Sequence, residues 1–167
     1  MKFKYKDQIV TASSKVEAIK ILSAKELTDE EKNDIFKRAR KGDKSILKLP
    51  KESLLIKDKD GWNPVHYLAK EGVIDILDLP KSILMSTTNK QATPIHWLAD
   101  TTKKEVIAKI CGLPVELLSM RDIDGETPVH WLAWYGVDKK WIYKFPKKVL
   151  NIKDNEGHTA IEISNLP

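Results

Sequence analysis

Two series of prolines keep step along this 167-residue chain, and together they dictate a repeated fold. One series is Pro64, Pro94 and Pro128, with Ala160 in the same slot. The other is Pro50, Pro80, Pro114 and Pro146. Both are spaced 30, 34 and 32 residues. A third marker precedes the first series as "DKDGWN", "DIDGET" and "DNEGHT", with Gln91 in the Gly place of "TNKQAT". Self-similarity near 32 residues marks stacked supersecondary units, each too small to bury its own apolar face.

Each marker has a local physical reading. Asp-x-Asp-Gly is turn chemistry, because Asp bonds nearby backbone and Gly takes a positive φ. The Asn or Thr that follows is a helix N-cap. Proline then occupies the first helical position, where no N–H is needed. His66, His96 and His130 fall at the third helical position. In the last copy that place is Glu162, completing the capping box "TAIE" from Thr159. The histidines are therefore expected to close the helix start by hydrogen bonding. Val65, Leu68 and Ala69, like Val129, Leu132 and Ala133, form an apolar face at helical spacing. Gly72 and Gly136 suit the helix end. The second proline of each unit predicts a second helix ending near it, then one short helical turn, since proline breaks the preceding turn.

The N-terminal part fits the frame loosely. "NDIFKRARKG" from Asn33 aligns with "NPVHYLAKEG" from Asn63, and Thr28-x-x-Glu31 is itself a capping box. This unit reads as a degenerate end repeat. Before it, "KFKYK" and "IVTAS" predict a β-hairpin, and Ser14-x-x-Glu17 predicts a helix. The expected organisation is a ββα cap over 1–27 and an array over 28–167, in units 28–57, 58–87, 88–121, 122–153 and a partial 154–167.

"GETPVHWLAWYG" at 125–136 and "LNIKDNEGHTAIE" at 150–162 resemble the ankyrin repeat. The resemblance implies a mainly α, ankyrin-like helical-repeat solenoid of paired antiparallel helices with projecting turns. It also implies a non-catalytic protein–protein interaction module. The Leu-Pro and Phe-Pro steps in the second half of each unit depart from that pattern.

Composition limits the alternatives. No apolar run approaches a membrane span, and "MKFKYKDQIV" lacks the apolar block of a secretory signal. Cys111 is the single cysteine, so no internal disulfide exists. A cytoplasmic or otherwise intracellular protein, monomeric and without cofactor or metal, is expected. Residues 1–57 hold 15 Lys/Arg and 9 Asp/Glu, a net +6, whereas residues 58–167 hold 14 and 15, a net −1. Nucleic acid is thus an unfavoured partner, because its readers concentrate positive charge on the recognition surface. The rival reading uses the basic 37–48 region, with Lys37, Arg38, Arg40, Lys41 and Lys44, on nucleic acid or another acidic surface.

Sharper chemistry finds no pattern. Histidines one packing distance apart, roughly 8–10 Å, cannot share one zinc ion, whose ligand atoms lie about 2 Å away. A calcium loop starting at Asp58 or Asp122 would need Glu at its twelfth place, where Ala69 and Ala133 stand. No nucleophile elbow or phosphate loop is present, so no catalytic residue is assigned; an enzyme site assembled only in three dimensions is the third reading.

The aromatics say more. Tyr67, Trp97 and Trp131 form one column and read as packing. Trp62 lies in its turn, after Gly61, and Trp134 with Tyr135 lie at a helix end where another copy has Lys70 and Glu71. The ankyrin resemblance places turn and helix end on a concave recognition face. Trp62, Trp134 and Tyr135 are the expected anchors, with Lys59, Lys70, Glu71 and Glu126 tuning specificity around them.

Overall fold

The computed structural model describes residues 2–5, 8–11, 27–100 and 103–166. Among these the chain is mainly α. Strands β1 (Lys2–Tyr5) and β2 (Gln8–Thr11) pair antiparallel. The helix expected after Ser14 lies outside the described residues. The α-helices are α1 (Asp29–Ala39), α2 (Lys51–Leu54), α3 (Pro64–Lys70), α4 (Lys81–Leu84), α5 (Pro94–Ala99), α6 (Lys104–Cys111), α7 (Val115–Leu118), α8 (Pro128–Trp134), α9 (Lys139–Ile142), α10 (Lys147–Leu150) and α11 (Ala160–Ile163). Among the described residues, no helix is long and apolar enough to cross a membrane.

Helix starts follow their caps. Glu31 N–H donates to Thr28 Oγ1 at 3.2 Å and Thr28 N–H donates back to the Glu31 carboxylate at 3.0 Å. Thr159 and Glu162 repeat the arrangement at α11. Pro50, Pro80, Pro114 and Pro146 each stand as the extended residue before a four-residue helix, α2, α4, α7 and α10. The residue before a proline is pushed out of helical geometry, which ends whatever precedes it.

The expected second helix forms only in part. In the first two units its place is taken by 3₁₀ turns at Lys44–Lys48 and Ile74–Asp78. Only seven residues separate Gly42 from Pro50, and seven separate Gly72 from Pro80. That length admits one tight turn. The 34-residue spacing from Pro80 to Pro114 adds four residues, one helical turn, and there the eight-residue α6 forms.

The first helices of the units lie side by side, α1 on α3, α3 on α5, α5 on α8 and α8 on α11. Three columns of side chains fill the core between units. Leu68, Leu98 and Leu132 come from the first helices. Ile46, Ile76, Ile110 and Ile142 stand four residues before each proline, and Leu54, Leu84, Leu118 and Leu150 four after. All eleven are buried. Burying a Leu or Ile contributes about 2 kcal/mol, so these columns supply a large share of the apolar stabilisation.

The turns stack as well. Asp58 Oδ1 accepts from Asp60 and Trp62 N–H, Asp122 Oδ1 from Asp124 and Glu126, and Asp154 Oδ1 from Glu156 and His158. Each turn then bonds the one before it: Asn89 N–H donates to Asp60 O at 3.1 Å, Ile123 to Lys90 O at 2.9 Å, and Asn155 to Asp124 O at 3.0 Å. Gln91, in the Gly place of its turn, takes φ +61°.

Candidate functional site

The three histidines bind in two directions. Asn63 N–H donates to His66 Nδ1 at 3.2 Å, and Thr93 and Thr127 N–H donate to His96 and His130 Nδ1 at 3.1 Å each. The imidazole thus takes the role that Glu162 plays in the last copy. Nε2 lies 3.2 Å from Ala92 O, 3.1 Å from Glu126 O and 3.2 Å from His158 O, respectively. A carbonyl only accepts, so Nε2 carries the proton and each neutral ring ties its helix start to the next unit's turn. Burial pushes His66 and His96 down to about 4 and lowers His130. With both nitrogens engaged, these rings are scaffold.

Beside them runs a row of aromatics that crosses the units. Phe36 meets Tyr67 edge-on at 6.0 Å between centroids, Trp62 lies 4.8 Å from Tyr67 and 4.2 Å from Trp97, Trp97 meets Trp131 at 5.0 Å, and Trp131 meets Tyr135 at 6.3 Å. Offset and edge-on pairs of this kind add stability beyond area burial. Trp62, placed in its turn by the sequence, is half-buried between Tyr67 and Trp97 and packs more than it projects. Trp134 and Tyr135 remain 49% and 44% exposed.

The turn aspartates hold the row from one side. Tyr67 O–H donates to Asp58 Oδ2 at 2.7 Å and Trp131 Nε1–H to Asp122 Oδ2 at 2.9 Å. The unit between has Thr88 in the Asp place, and there both Trp97 Nε1 and Thr88 Oγ1 are buried without a hydrogen-bond partner among the described residues. Restoring the pattern with Thr88→Asp, and relieving the positive φ with Gln91→Gly, is expected to raise unfolding free energy by about 1–2 kcal/mol. Urea unfolding midpoints of the two single variants and the double variant check this.

Charged residues border the row. Lys59 and Lys70 are exposed, and Lys59 O accepts from Asn89 Nδ2–H at 3.0 Å. Glu71 is exposed at the end of α3. Glu126 is half-buried, accepts from Trp134 Nε1–H, and its carboxyl is raised by burial. Glu126 and Trp134 therefore form one unit with Tyr135 beside it. Sequence reasoning missed exposed Ile123 and Tyr143, which no repeat marker singles out.

The basic region is largely committed to its own chain. Arg38 Nε donates to Asp43 at 2.8 Å and its far nitrogen to Ser45 Oγ at 2.7 Å. Lys44 pairs with Asp75 at 3.2 Å, and Arg40 donates to Tyr67 Oη at 3.2 Å. Lys37 and Lys41 are exposed. Three of the five cations that an acidic partner would need are already engaged. Cys111 is half-buried, and burial pushes its thiol up, away from a reactive thiolate. Neither the models of known protein families nor the curated proteins contain a match to this chain.

Proposed function

We propose that the chain is an ankyrin-like solenoid whose aromatic face binds a partner protein without catalysis. Histidine-linked helix starts and bonded turns make that face rigid, which lowers the ordering cost of association. In this reading the units run as 28–57, 58–87, 88–121, 122–153 and a partial 154–167, with the N-terminal hairpin and the helix read after it covering one end. The lone Cys111 suits a reducing compartment.

One observation carries the reading. At the end of a row whose other rings are half-buried or buried, the consecutive residues Trp134 and Tyr135 stay open to solvent. Trp and Tyr are the residues that most often dominate interface energetics. Trp134→Ala is expected to weaken partner binding by about 2 kcal/mol, roughly thirtyfold, with the unfolding midpoint nearly unchanged. Affinity purification from the native source, then titration of the recovered partner against both forms, measures it. A large loss of stability with unchanged affinity would assign Trp134 to the fold instead.

A further inference from the structure

Arg40 and Lys70 hold the same place in successive units, directly after the buried Ala39 and Ala69. Each reaches aromatics of its own unit and the next. The Arg40 guanidinium lies 4.6 Å from the Tyr67 ring centroid and 5.7 Å from Phe36. Lys70 Nζ lies 5.7 Å from Trp62 and 5.9 Å from Trp97. The early rungs of the row thus carry internal cations, at distances where the ring quadrupole attracts them.

The series then changes. Asp100 takes the third place, after Ala99, and Trp134 the fourth, after Ala133. Among the described residues, no Arg or Lys stacks on Trp131, Trp134 or Tyr135. Carboxylates gather there instead. Asp122 holds the Trp131 indole and Glu126 the Trp134 indole. Asp100 and Glu126 act on the Tyr135 hydroxyl, adding to the upward push of its burial. Arg121, the cation of this turn, donates to Gly125 O, Lys153 O and Asn155 Oδ1. An indole donating to a carboxylate is polarised toward a more negative face, which strengthens its attraction for a cation.

We propose that this end of the row is a receptor for a side-chain cation. An Arg or Lys from a basic segment of the partner sits on Trp134 and Tyr135, as Lys70 sits on Trp62 and Trp97, and is balanced by Asp100 and Glu126. The proposal rests on the reading of this face as a protein-binding surface. It commits that surface to a basic partner, because among the described residues no Arg or Lys stacks on the rings whose indoles Asp122 and Glu126 hold.

The test uses an oligoarginine peptide, with a Gly/Ser peptide of equal length as control, titrated into the full chain at physiological salt. Binding is followed through the tryptophan indole N–H resonances. The Trp131 and Trp134 resonances are expected to shift saturably with oligoarginine alone. Asp100→Lys installs the cation that Lys70 supplies one unit earlier in the series and is expected to weaken binding roughly tenfold. Glu105→Lys on α6 makes the same charge change elsewhere and is expected to leave affinity within a factor of about two. Equal losses in the two variants, or wild-type affinity in Asp100→Lys, would overturn the cation subsite. A recovered partner that needs Trp134 but ignores Asp100→Lys would remove this subsite and leave the binding face. A partner indifferent to Trp134→Ala would remove the binding face itself.

Discussion

Acidification from pH 6.5 to 4 is expected to unfold this protein, with the buried histidines responsible. His66 and His96 titrate near 4 in the folded chain, against about 6.5 when unfolded. In that window the unfolded chain binds protons that the folded chain refuses, so stability falls as pH falls. Above 6.5 the contribution is fully present, and below 4 nothing further is lost through these groups. Each of the two contributes a loss on the order of 3 kcal/mol, and His130 shifts the same way. Asp122 beside His96, and Asp154 beside His130, oppose burial without overcoming it. Glu126 works against the trend: its raised carboxyl takes up a proton more readily when folded. A total stability of about 5–15 kcal/mol leaves little after such a loss. Urea melts across this pH range measure the slope. His96→Gln keeps a capping-box side chain but does not titrate, so its slope should be shallower. An unchanged slope would place the acid sensitivity in other groups.

Gly61→Ala is expected to cost about 3 kcal/mol or more, and Gly157→Ala about 1 kcal/mol. Both glycines have positive φ, at +77° and +91°. They differ in what stands nearby. A Cβ on Gly61 would lie 2.6 Å from the Asn89 backbone nitrogen, which donates to Asp60 O, and would also collide with Asn89 Oδ1. Nothing lies within 4 Å of a Cβ on Gly157. The first substitution must push the next unit's turn away; the second meets only backbone strain. Thermal midpoints of the two variants provide the comparison. Equal losses would mean that stacking of the turns contributes little to stability.

Much of the scaffold was legible because it depends on neighbours along the chain. A cap and its third helical residue lie within one turn. That is why Thr159 and Glu162 in one copy revealed what His66, His96 and His130 do in the others. Each second proline announced its stop and the short helix after it. Even the uneven second segments were present in the spacing, since four extra residues before Pro114 become the added turn of α6. The choice between 3₁₀ and α geometry was not. It follows from how far the chain must travel between a helix end and a proline that are both held by packing.

The candidate face divides in the same way. Sequence register singled out Trp134 and Tyr135, because aromatic residues replaced charged ones in an otherwise regular place. It singled out Trp62 by the same logic, yet Trp97 of the next unit covers it. It read Arg40 as part of a basic patch, although the guanidinium rests on Tyr67. The second bond of each histidine, to a carbonyl 26 to 30 residues away, also had no mark in the chain. Caps, turns and stops were determined by the sequence itself, because their partners are a few bonds distant. Which rings lie open and which cations are spent was decided only when one unit closed on another, because exposure depends on what the neighbour brings.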